Sequence, residues 1–158
     1  MNEHKTPEER VAELLLRPRG PELSLHLHRT LARILVEFID HVQSENICSS
    51  DLRNSTMTYG QVSRLAMARG ADIHYRIAGY YVGNLSQACQ VLDFPVISAI
   101  VVSQADRTPG NGFRPLVRNP DSDTTDQEYR ERQETARDSV LAYEHWSQFI
   151  EFLDNLTY

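Results

Sequence analysis

Apolar residues recur at steps of three and four along most of this chain, a spacing that predicts helices with one buried face. The clearest case is residues 24–45, where Leu27, Leu31, Ile34, Leu35, Phe38, Ile39 and Val42 fall on one stripe. Upstream, Thr6-Pro7-Glu8-Glu9 reads as a helix start: a hydroxyl cap, a proline in the first turn, and two carboxylates at the positive end of the helix dipole. Val11, Leu14 and Leu15 give that helix a short stripe, and residues 17–21, with Pro18, Gly20 and Pro21, end it. Residues 46–55 are polar and turn-like, with Ile47 and Leu52 tucked inward. Thr58 and Gln61 have the spacing of a capping box, and the helix they open turns Tyr59, Val62, Leu65 and Ala66 inward before closing near Gly70. A further helix over residues 75–92 places Ile77, Tyr81, Leu85, Ala88 and Leu92 on one stripe. Ala78, Gly79 and Gly83 keep part of its surface small, which permits close backbone approach.

The pattern then changes. Residues 94–102 form a short apolar run rich in β-branched side chains and predict a buried strand. Residues 104–120 form a long loop containing three prolines and two glycines. A last helix is expected over residues 125–156, with Ala136, Val140, Tyr143, Ile150 and Leu153 at helical spacing and Trp146 and Phe149 beside them. Its first half, residues 127–137, is almost wholly polar and is expected to project into solvent. The fold class that follows is mainly α with a small β element (α+β), and 158 residues suit a single domain. N-terminal helices (residues 1–55) precede a helix–helix–strand–loop centre (residues 56–119) and a long acidic C-terminal helix (residues 120–158).

Charge sharpens this division. The net charge of −6 is uneven: residues 1–55 carry −2, residues 56–119 carry +3 and residues 120–158 carry −7. The basic charge of the centre is all arginine: Arg64, Arg69, Arg76, Arg107, Arg114 and Arg118. Arginine suits planar, bidentate contacts to anions. No apolar run approaches the roughly 20 residues of a membrane span, and the first residues lack an apolar signal core, so a cytoplasmic protein without a membrane partner is expected. Cys48 and Cys89 stand outside any paired motif and fit reduced thiols. His26, His28 and His41 are placed to be solvated or locally bonded, with no metal set among them.

The signatures of phosphate loops, nucleophile elbows and zinc peptidases are missing, so no catalytic residue, cofactor or metal is expected. Pro109-Gly110-Asn111-Gly112-Phe113 is the most suggestive short motif. Glycines around an asparagine let successive N–H groups form an anion-binding nest, and Arg107 and Arg114 flank it. Tyr59 and Arg76 each open a helix, where free backbone N–H groups favour phosphate. A ligand- or nucleic-acid-binding face is therefore expected from Tyr59, Arg64, Arg76, Arg107, Gly110, Asn111, Gly112 and Arg114. A small enzyme would have to draw on His74, Tyr75, Asp106 and Arg107.

Tyr59-Gly60-Gln61-Val62, Arg76-Ile77-Ala78-Gly79, Pro95-Val96-Ile97-Ser98-Ala99 and Pro109-Gly110-Asn111-Gly112 occur in an order that resembles the DNA-binding domain of the O6-alkylguanine alkyltransferases and their inactive alkyltransferase-like relatives. The resemblance covers residues 58–113. It implies a winged-helix-like centre, a backbone-phosphate contact for Tyr59 and an intercalating role for Arg76. The family's strand carries Pro-Cys-His-Arg, or Pro-Trp-His-Arg in the inactive relatives; here Pro95-Val96-Ile97-Ser98 removes the nucleophile, its histidine and the arginine, and with them alkyl transfer. The expected function is a non-enzymatic module that binds nucleic acid or a phosphate-bearing ligand through its basic arginine and glycine-loop face. The alternative is a protein-interaction inhibitor of the anti-defence type made by phages or mobile elements. It would set the acidic C-terminal helix against a nucleic-acid-handling partner. The oligomeric state is open; a homodimer would draw on the helix at residues 24–45 or on Tyr80-Tyr81.

Overall fold

Thr6 caps the first helix through its hydroxyl, which accepts the Glu9 N–H at 3.2 Å, and Pro7 occupies the first turn. The computed structural model describes residues 4–17, 19–105 and 126–157. In chain order the elements are α1 (Pro7–Leu16), α2 (Pro21–Ser44), α3 (Leu52–Ser55), β1 (Met57–Thr58), α4 (Tyr59–Ala68), α5 (Tyr75–Val91), a 3-10 turn (Ile97–Ile100), β2 (Val101–Val102), α6 (Asp126–Ala142) and α7 (Trp146–Asp154). The fold is mainly α with a small two-stranded parallel sheet. Among the described residues no helix is long and apolar enough to cross a membrane.

α2 is the axis of the molecule. Its stripe is buried from Leu25 to Val42, with Phe38 half-buried, and α1, α4, α5, α6 and α7 all pack on it. This face, offered above as a dimer surface, is spent on the chain's own core. Of the other dimer candidate, Tyr81 is buried and Tyr80 exposed. α2 begins at Pro21, three residues earlier than expected. A proline at the first helical position gives up only an N–H that has no helical partner, so Pro21 starts a helix here and does not end one. Gly20 makes the turn at φ 84°, and buried Ser24 ties it down by accepting the Arg19 N–H at 2.7 Å. A four-residue helix, α3, which the polar pattern of residues 46–55 did not announce, is capped by Asp51.

Thr58 and Gln61 form the expected reciprocal capping box at the start of α4. Leu65, expected inward, is 42% exposed, because Val62, Ser63 and Ala66 take the core face. Gly70, at φ 82°, lets the chain turn back after α4, and the Ala71 N–H reaches the Ala66 carbonyl at 2.9 Å.

The run at residues 94–102 is buried from Ile97 onward but is a strand only at its end. β1 offers just two residues to pair with, Met57↔Val101 and Thr58↔Val102. Before that, backbone donors are satisfied locally: Ala99 N–H bonds the Val96 carbonyl at 3.1 Å and Ser98 N–H the Ser86 hydroxyl at 2.8 Å. Burial of the run therefore held while its extended conformation did not.

The expected single C-terminal helix is two helices, broken at residues 143–145. Three carbonyls near the break are answered by side chains. Trp146 Nε1 donates to Val140 O at 3.0 Å, and Gln43 Nε2 donates to the carbonyls of Leu141 and Tyr143 at 2.9 and 2.8 Å. The break carries Trp146 and Phe149 into the core against Phe94. At the far end Arg29 of α2 donates to the carbonyls of Leu153, Asp154 and Leu156, and Arg33 pairs with the Asp154 carboxylate at 2.6 Å. Two cations thus sit at the negative end of α7. The first half of α6 is less solvated than expected, since Gln133 and Arg137 are buried and Arg137 bonds the Ser49 carbonyl at 3.0 Å.

Candidate functional site

The parallel pairing of β1 with β2 positions the most suggestive surface of the protein. With Thr58 opposite Val102, the next residues on each side, Tyr59-Gly60 and Ser103-Gln104, emerge side by side. Together with Tyr75 and Ala105 they line a groove of about 530 Å³. α4 and α5 pack so that the Tyr59 ring lies on Gly79. A Cβ built at Gly79 would stand 3.5 Å from Tyr59 Cε1, an ordinary contact. Gly79→Ala is therefore expected to fold normally and to gain about 0.5–1 kcal/mol of helix stability. A thermal melt checks this, and a loss of stability would mean that the ring needs the bare backbone.

At the N-terminus of α5, His74 caps the helix by accepting the Arg76 N–H on Nδ1 at 3.2 Å. Its ring lies 4.5 Å from that of Tyr75. The Arg76 guanidinium sits 5.8 Å from the Tyr75 ring centroid, within reach of a cation–π contact. Its Nε donates to the Tyr75 hydroxyl at 3.3 Å, which holds the guanidinium above its ordinary pKa. Tyr75 is 51% exposed. The result is an exposed aromatic and cationic face beside the groove, built from consecutive residues whose direction is set by one cap.

The expected site residues divide. Tyr59 lines this groove, and Arg76 joins it through Tyr75. Arg64, five residues after Tyr59, lies about 140° further round α4 and opens onto a different groove, facing α2. Arg107, Gly110, Asn111, Gly112 and Arg114 lie outside the described residues, and with them the glycine loop taken as a wing. Asp106 also lies outside, so of the enzyme candidates only His74 and Tyr75 are placed. Tyr75 itself was undervalued: its signal was an aromatic at the first position of a helix, next to a histidine cap and an arginine.

Val96, expected to stand where the alkyltransferases carry their nucleophile, is half-buried and precedes the 3-10 turn, with Ile97 and Ser98 buried after it. Among the described residues no group of three or more histidines, cysteines or carboxylates is placed to hold a metal. His28 is buried between α2 and α5. Its Nδ1 donates to the Ser24 carbonyl at 2.8 Å, Asn84 Nδ2 stands 3.3 Å from Nε2, and the Tyr81 ring is 5.1 Å away. Burial lowers its pKa to about 4, so the ring is neutral and structural at neutral pH. Cys89 is also buried, which raises its thiol to about 12, whereas exposed Cys48 is lowered by a hydrogen bond with Ser50. Comparison with protein-family models, curated proteins and solved structures found no match for this chain.

Proposed function

We propose that the chain is a non-enzymatic binding module for nucleic acid or a phosphate-bearing ligand, and that the face around Tyr59, Tyr75 and Arg76 makes the contact. The observation that carries this reading is the exposed Tyr75 ring with the Arg76 guanidinium held against it, next to a groove at the start of two helices. Exposed aromatic rings stack on bases whatever their sequence, and arginine adds cation–π and phosphate contacts. Helix N-termini present N–H groups to phosphate. The resemblance of residues 58–113 to the alkyltransferase DNA-binding domain points to the same two side chains, Tyr59 and Arg76. The net charge of −6 favours a local contact over broad phosphate neutralisation.

Fluorescence anisotropy with labelled single-stranded and duplex oligonucleotides tests the proposal. Binding should weaken as salt rises, and Tyr75→Ala and Arg76→Ala should each reduce affinity by roughly tenfold, on the scale of stacking and charged contacts. Competition by a mononucleotide distinguishes a small phosphate ligand from a polymer. Unchanged affinity in both variants and at all salt concentrations would sink the reading. Capture of a protein from nuclease-treated lysate, with no oligonucleotide binding, would transfer the function to the solvent-facing carboxylates Glu131, Glu134 and Asp138 of α6.

A further inference from the structure

The groove that receives Arg64 has a composition of its own. Its floor is apolar: Met57 is buried, Phe38 and Ile47 are half-buried, and Leu65 is 42% exposed. Its rim carries three basic side chains, His41 from α2, Arg53 from α3 and Arg64 from α4. No carboxylate is part of its lining, and Asp40, next to His41 in sequence, lies outside it. Arg53 and Arg64 form no ion pair among the described residues. Two carboxylates close to the groove in sequence are occupied: Glu37 pairs with Arg69, and Asp51 caps α3 and accepts from the Asn54 side chain at 2.8 Å. Two other exposed arginines are neutralised within the fold, Arg33 by Asp154 and Arg69 by Glu37.

We infer that this groove binds a small amphipathic anion, a carboxylate or phosphate monoester on an apolar body. Its volume, about 460 Å³, lies in the range of small-molecule sites. The apolar body covers Phe38, Ile47 and Leu65, which otherwise leave hydrophobic surface in water, above buried Met57. The head group takes charge-assisted hydrogen bonds from Arg53 and Arg64, the side chains with the fork geometry that suits carboxylate and phosphate oxygens. Walls from three helices make a short concavity, which fits a compact ligand better than an extended peptide. The site lies on the other side of α4 from Tyr59 and stands whether or not nucleic acid binds there.

Isothermal titration of the full chain with decanoate, decyl phosphate and decanol is the test. The two anions are expected to bind with one-to-one stoichiometry, and decanol, with the same chain and no charge, at least about tenfold more weakly. The doubly substituted Arg53→Gln/Arg64→Gln protein should lose tenfold or more in affinity for both anions and keep its affinity for decanol. Leu65→Gln should weaken all three. Both arginines are exposed and form no ion pair among the described residues, so the double variant is expected to melt as the parent does. Comparing the two anions tells a carboxylate site from a phosphate site. No binding of either anion, equal binding of decanol, undiminished binding to the double variant, or binding only of an acidic peptide such as a Glu-Leu-Glu-Phe sequence would each overturn the inference.

Discussion

Trp146→Ala is expected to destabilise the protein by about 3–5 kcal/mol, the range for removing a large aromatic from a core. For a chain of this size that lowers the melting temperature by roughly 6–20 °C. Two losses combine. The indole is 2% exposed and stands among Phe94, Tyr143 and Phe149 with ring centroids 5.3–6.0 Å away, so truncation leaves a cavity bounded by other rings. Its N–H also answers the Val140 carbonyl, which would be left buried without that partner. Trp146→Phe separates the two. It keeps most of the ring and drops the donor, and should cost about 1–3 kcal/mol. Chemical denaturation of both variants checks the pair. A loss under 1 kcal/mol in the alanine variant would mean that the break between α6 and α7 does not depend on this side chain.

Acid should destabilise the fold through His28. The imidazole has a pKa of about 4 when folded and about 6.5 when exposed. Above pH 6.5 it is neutral in both states and contributes no pH dependence. As the pH falls below 6.5 the unfolded chain takes up a proton that the native protein refuses, and stability declines until about pH 4. At 1.36 kcal/mol per pKa unit the full loss is about 3 kcal/mol. Charging the ring would also set a second N–H against the Asn84 amide, which is itself a donor. Unfolding free energies measured between pH 7 and pH 4.5 should fall along this curve in the parent and more shallowly in His28→Gln. Identical slopes in the two proteins would show that other groups set the acid limit.

Much of the helical framework was readable from the sequence because it rests on periodicity and local chemistry. The α2 stripe, the Thr6 cap, the Thr58–Gln61 capping box and the turn at Gly70 all follow from residues within a few positions of one another. What was missed depends on distant partners. The apolar run at residues 94–102 has the composition of a strand, yet β1 supplies a two-residue edge, so only Val101–Val102 pair and Ile97–Ile100 coil into a 3-10 turn. The break after α6 left a trace: Val140 and Trp146 are six residues apart, about 240° on a continuous helix, so both could not face one core without a phase reset. That Gln43 and the Trp146 indole would cap the carbonyls freed at the break could not be read from spacing. The candidate site was legible in its parts, Tyr59 and Arg76, because each opens a helix. Its composition was not, because Tyr75 enters through the α4–α5 packing, and Arg64 leaves because of where it falls on the turn of α4.

The clasp of Arg29 and Arg33 on the end of α7 joins residues more than 120 positions apart. Closing so long a span is an entropic cost that grows only with the logarithm of its length, about 0.6 kcal/mol for each doubling. The clasp therefore fixes where α7 must end while placing little demand on how much chain lies between. Extra residues in an exposed connection between the two ends would alter that entropy by tenths of a kcal/mol, whereas moving either arginine by one position would turn it to another face of α2 and release the last helix. In this fold loop length is a loose variable, and the register of α2 is a tight one.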